Sequence, residues 1–172
     1  GGVVGTTKCS AGIVPWCGQL TVYGREALSE VAAVKEARET NIENYRFRAA
    51  LQEAMNIARI GNKYLADTEP WKVIKSDPER VKTILYVALQ ITANTDIAIE
   101  PFMPFSAAKL REMLAVEGFD WERLGASDLI AAGPRIGTPS LLFQKIEADV
   151  LQHQLAKLAA TKAPNPAADS HH

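Results

Sequence analysis

At 172 residues, with 47% hydrophobic and 23% charged side chains, the chain is long enough for one domain with a sizeable core, and its composition excludes disorder. Nineteen basic against 20 acidic residues leave a net charge of −1, which excludes a broad phosphate-binding surface, because that attraction grows with the number of phosphates neutralised. Any nucleic-acid contact must therefore be small and local, or lean on a more basic neighbouring domain.

Residues 1–24 read as a helix remnant followed by a docking loop. Gly1, Gly2 and Gly5 oppose a helix by about 1 kcal/mol each relative to alanine. Residues 12–18 are turn-like and apolar, with Trp16 as a packing anchor. Cys9 and Cys17 fit neither a CxxC pair nor a zinc quartet and have no histidine nearby, so they read as free thiols, and no metal site is expected. The helical domain proper is expected over residues 25–160.

Its first full helix should run from Arg25 to about Asn41, with Ala27, Leu28, Val31, Val34 and Ala37 inward and Glu26, Glu30, Lys35 and Arg38 around them. A second, from about Tyr45 to Asp67, carries Phe47, Leu51, Ala54, Ala58, Gly61 and Leu65 at steps of three and four. Its small members would let a neighbouring helix approach closely, which gives Gly61 a packing reason for standing inside a helix. The helix should stop by Glu69, because the residue before Pro70 is pushed out of the right-handed helical region. Pro70 then opens a new turn and holds Trp71 on a stiff corner. A tryptophan there is either a core plug or a platform on which an unpaired base can stack, and spacing does not separate the two. From Gly61 to Lys82 five cations (Lys63, Lys72, Lys75, Arg80, Lys82) outnumber four acids only slightly.

Asp77-Pro78-Glu79 places an N-cap, an N1 proline and an early acid in order, so a helix should run from Pro78 to about Glu100. It is apolar almost throughout, with Val81, Ile84, Leu85, Ala88, Ile91 and Thr95 facing the core, and should be central. Its most apolar run, Thr83 to Thr95, is too short to span a bilayer and carries Gln90 and Asn94, so no membrane partner is expected. Asp96, near its end, could be exposed, capped or paired. Residues 101–105 turn the chain around Met103, a core corner, and a helix from Pro104 to Ala115 packs Leu110 and Leu114. Residues 117–138 are irregular, with Trp121 and Leu124 tucked inward. A last helix over about Leu141 to Ala160 would close the domain against its first half. Residues 161–172 read as a linker or disordered tail; His171 and His172 look like a tag remnant, and His153 is a solvated helix residue. No internal repeat and little alternation leave an all-α fold, a single bundle of about five helices.

Asn62-Lys63-Tyr64-Leu65, four intervening residues and then Pro70-Trp71-Lys72 resemble the signature of the anticodon-binding domain of methionyl-tRNA synthetases, which are class I synthetases. The likeness continues through residues 48–54, 100–104 and 142–147 and covers roughly residues 8–158. It implies that Trp71 stacks on an anticodon base, that Pro70 fixes its angle, and that Asn62 and Tyr64 hold the corner from behind, with Lys63, Lys72 or Lys75 meeting backbone phosphates. The partners it implies are a tRNA anticodon stem-loop and the catalytic domain of the same polypeptide, in the cytoplasm. It also implies that a parent methionine-tRNA ligase uses ATP and Mg elsewhere, and that this chain holds no cofactor. The family's asparagine and arginine on the preceding helix have no match in Gly1 to Ser10.

No glycine-rich phosphate loop, ATP-handling motif, paired carboxylates or activated nucleophile is present, so no catalytic residue is assigned and the chain should be inactive alone. The alternative reading is a helical protein–protein interaction module, whose Trp71 corner and small-residue stripe receive a partner helix.

Overall fold

The computed structural model describes residues 20–161, which fall into two compact units divided between Leu142 and Phe143. Trp16, both cysteines, the 12–18 loop and the tail lie outside the described residues. The first unit contains five α-helices: α1 (Val22–Glu43), α2 (Phe47–Thr68), α3 (Pro70–Val73), α4 (Pro78–Ile99) and α5 (Pro104–Leu114). An irregular segment with a 3₁₀ turn at Trp121–Arg123 follows, and there is no β-strand among the described residues. The second unit contains α6 (Ala148–Thr161).

The all-α expectation holds, with corrections at the ends of elements. Helix α1 begins at Val22 rather than Arg25, because the Thr21 hydroxyl accepts from the Gly24 N–H at 3.1 Å and supplies an N-cap. It closes at Asn44, after which Tyr45 takes a left-handed conformation (φ 57°) and reverses the chain into α2. Helix α4 starts as its sequence dictates, with the Asp77 carboxylate accepting from the Arg80 N–H at 3.1 Å and Pro78 in the first turn. The last helix begins at Ala148, not Leu141, and carries Leu151, Leu155 and Leu158 exposed along it.

Helix α4 is the axis of the first unit. It packs against α1, α2, α3 and α5, and buries Val81, Ile84, Val87, Leu89, Ile91, Ala93 and Ile97–Ile99, which lie all around its circumference. Helix α2 meets it through a stripe shifted from the one expected. Ala50, Ala54, Ile57 and Tyr64 are buried, whereas Phe47 is exposed and Leu51 and Leu65 are only half-buried. Gly61 does have its packing reason: a Cβ there would stand 3.1 Å from the Ile91 Cγ2.

Two amides on α4 fasten the irregular segment. The Gln90 side chain donates to the Ile130 carbonyl (2.7 Å) and accepts from the Ile130 N–H (3.0 Å). Asn94 accepts from the Gly125 N–H (2.6 Å) and donates to the Ala126 carbonyl (2.9 Å). Leu124, Leu129 and Ile130 are thereby held in the core. Gly125 is required at this crossing, since its φ is +91° and a Cβ would lie 3.0 Å from the Ala32 Cα.

Two charged residues are buried, Arg38 against expectation and Asp96 in the paired form left open by its position. Arg38, placed by pattern on the outer face of α1, is fully buried, its guanidinium carbon 4.0 Å from the Trp121 ring centroid and 5.4 Å from that of Phe102. None of its nitrogens has a hydrogen-bond partner, so the ring faces and the nearby Glu39 charge offset its desolvation. Burial lowers its pKa to about 10, with Glu39 acting the other way. Asp96 is also fully buried, its Oδ2 3.5 Å from an Arg111 nitrogen that binds Glu100 more closely at 2.6 Å.

Burial raises the Asp96 carboxyl to about 6 from its ordinary 3.8, while Arg111 pulls it partly back and Glu100 pushes it further up. Because the folded value lies above the unfolded one, the stabilising contribution of Asp96 is complete in acid below the unfolded value and is lost as pH rises through about 6. Asp96→Asn is therefore expected to match the parent chain in stability near pH 4 and exceed it at pH 7, by up to about 3 kcal/mol. Denaturant midpoints at the two pH values measure the difference, and equal curves at both would show that Arg111 fully compensates the charge.

Candidate nucleic-acid interface

The corner is built from its backbone outward. Glu69 ends α2 in a left-handed conformation (φ 41°, ψ 58°), its N–H donating to the Leu65 carbonyl at 3.0 Å. A non-glycine residue in this region costs about 1–2 kcal/mol, and the surrounding bonds hold it there. The Glu69 carbonyl accepts from the N–H groups of Lys72 (2.9 Å) and Val73 (3.2 Å), and the Pro70 carbonyl accepts from Ile74 at 3.0 Å. Pro70 is buried beneath this turn, and α3 packs on α4. Trp71, the next residue, is 59% exposed.

The sequence-predicted residues divide between this surface and the layer beneath it. Asn62, Lys63, Lys72 and Lys75 are exposed, whereas Tyr64 and Pro70 are buried. Tyr64 stacks on Tyr23 with ring centroids 5.5 Å apart, which ties α2 to the first turn of α1. The Lys72 ammonium lies 2.7 Å from the Glu69 carboxylate, so one of the three lysines is already paired.

Pattern reading missed the contribution of α1. Tyr23 donates its hydroxyl proton to Asp67 and stacks on Tyr64, so the start of α1 stands beside the end of α2. That hydrogen bond, with burial and the Asp67 charge behind it, raises the Tyr23 pKa to about 12, and the hydroxyl remains a donor at neutral pH. Val22 beside it is exposed. The available signal was Thr21, an N-cap residue type one step before the apolar pattern.

Among the described residues there is no group of three or more His, Cys, Asp or Glu side chains placed to hold a metal ion. No helix of the described residues is long and apolar enough to cross a membrane.

Residues 14–163 match the family model described as the anticodon-binding domain of methionyl tRNA ligase. The chain belongs to this family. It is 54% identical over 164 residues to the methionine–tRNA ligase of Phocaeicola vulgatus, covering 95% of this chain and 24% of that one. Against the ligase of Flavobacterium psychrophilum the identity is 48% over 165 residues, again covering 95% and 24%. The chain thus spans about a quarter of the length of the curated relatives it matches. Its fold is similar to that of the free-state Mycobacterium tuberculosis methionyl-tRNA synthetase, with a TM-score of 0.71 at 22% identity over 81% of this chain and 29% of that one.

Proposed function

We propose that the Trp71 corner reads the anticodon of a tRNA on behalf of a methionine–tRNA ligase, with the indole stacking on one unpaired base. The observation that carries this reading is the exposure of Trp71 on a turn whose backbone hydrogen bonds and buried Pro70 leave its Cα little freedom. A preset ring loses little conformational entropy when a base lands on it. Pro70 sets the ring's direction, Tyr64 supports α2 from within the core, and exposed Asn62 flanks the approach. Lys63 and Lys75 supply charge for nearby phosphates, and Lys72 does so by exchanging Glu69 for a phosphate.

Attachment of methionine, with its ATP and Mg, belongs to the larger remainder of such a ligase in the cytoplasm. The residues described here offer no cluster to hold Mg, and no step of that reaction is assigned to them.

Three lysines and a near-zero net charge make a specific prediction about salt. Binding of an anticodon stem-loop to the ligase should weaken with salt at a log–log slope of only about −2, given roughly 0.7 per single-strand phosphate neutralised. Fluorescence titration across a salt series, with an unrelated hairpin as control, measures it. A steep slope, or equal affinity for both hairpins, would replace stacking recognition by general phosphate binding. Preference for an amphipathic peptide helix over the stem-loop would favour the protein-interaction reading instead.

A further inference from the structure

The last turn of α2 carries the Trp71 corner, yet its own residues work against it. Asp67 places an exposed carboxylate at the negative end of the helix dipole. The Thr68 hydroxyl donates back to the Tyr64 carbonyl at 2.6 Å, a bond that bends a helix and slightly destabilises it. Glu69 then takes the left-handed conformation, which persists only where its surroundings hold it.

Support for this turn comes from another element. Tyr23, in the first turn of α1, donates its hydroxyl to the Asp67 carboxylate and lays its ring on Tyr64, with centroids 5.5 Å apart and planes inclined by 24°. Tyr64 is itself buried in the core, so the stack presses the end of α2 inward. The start of α1 is fixed in turn. Thr21 caps it, and a Cβ on Gly24 would stand 3.4 Å from the Val87 Cγ2 and 3.5 Å from the Tyr64 hydroxyl oxygen, so α1 begins in close contact with both α2 and α4.

We infer that Tyr23 is a positioning residue for anticodon recognition, fixing through Asp67 the helix end from which Glu69, Pro70 and Trp71 project; the inference rests on the stacking function proposed above. Asp67 lies four residues before Trp71 in the chain. Without the hydroxyl bond, the turn between them gains freedom that a base must remove when it stacks, and recognition weakens although Tyr23 touches no RNA. Asp67 serves here as a hydrogen-bond acceptor, a role that an amide oxygen fills as well.

Tyr23→Phe in the ligase, made with and without Trp71→Ala, tests this role, because phenylalanine keeps the ring stack and loses only the hydroxyl. With Trp71 present, kcat/KM for tRNA is expected to fall by about three- to tenfold, the range for one hydrogen bond of ordinary net strength. In the Trp71→Ala background no further fall is expected. Methionine-dependent ATP–pyrophosphate exchange should hold its rate in every variant. Asp67→Asn, which still accepts from the hydroxyl, should keep kcat/KM near the parent value, whereas Asp67→Ala should match Tyr23→Phe. An equal loss in both backgrounds would mean that Tyr23 supports the domain as a whole, and no loss in either would mean that the end of α2 needs no outside support. Each of these results overturns the inference and leaves the stacking role of Trp71 standing. If Trp71→Ala alone has no effect, the stacking function fails and the positioning role of Tyr23 falls with it.

Discussion

Trp71→Ala in a ligase containing this chain is expected to lower kcat/KM for tRNA by one to two decades while methionine-dependent ATP–pyrophosphate exchange stays at its original rate. Loss of one base–aromatic stack is worth about 1–3 kcal/mol, which converts to a factor of roughly 5 to 150. The substitution should leave stability within about 0.5 kcal/mol, because a ring 59% exposed leaves no cavity behind when truncated. That pairing of a functional loss with an unchanged melting temperature separates the stacking platform from the core plug. A plug would give a large stability loss, of about 3–5 kcal/mol for a buried aromatic. Trp71→Phe should recover part of the activity, since a smaller π face still stacks. If alanine leaves tRNA kinetics unchanged, base recognition lies elsewhere on the domain.

The second large effect is on the fold. Gln90→Leu is expected to cost about 2–4 kcal/mol, because it strands both the N–H and the carbonyl of Ile130 in the core, each unsatisfied group costing about 1–3 kcal/mol. For a chain of this size the melting temperature should fall by roughly 5–15 °C. Amide exchange of Ile130 should accelerate more than that of α2, since the tether being cut is local. Asn94→Ala should act similarly through Gly125 and Ala126, and the double substitution should cost less than the sum, because both side chains fasten one segment. An unchanged melting temperature for Gln90→Leu would mean that Leu124, Leu129 and Ile130 are held by apolar packing alone.

These two substitutions mark what could and could not be read from residue order. The corner was legible because its determinants are local: a proline forbids the preceding residue the right-handed helical region, and an N-cap followed by proline starts α4. The centrality of α4 was legible because its apolar residues exceed one face. Gln90 and Asn94 stood out as polar residues in an apolar run, yet their partners lie 40 and 31 residues away in a segment without periodicity. Arg38 gave no warning at all. Its charge fitted an outward pattern on α1, and only the arrival of Trp121 and Phe102 from distant parts of the chain buries it. The stripe on α2 is displaced for a related reason: the partner that draws the Tyr64 ring inward is Tyr23, 41 residues earlier in the chain.

Trp71 now carries a narrower claim than a general affinity for RNA. It is one exposed ring on a fixed turn, with two lysines free of carboxylates on α2 and the turn after α3 and a third held by Glu69. The most direct test is a double-substitution cycle between Trp71→Ala in the ligase and tRNAs in which one anticodon-loop base at a time is replaced by an abasic site. At a single loop position the two losses should overlap almost completely, giving a coupling of about 1–3 kcal/mol, with simple additivity at every other position. Additive losses at all positions would mean that no base stacks on Trp71.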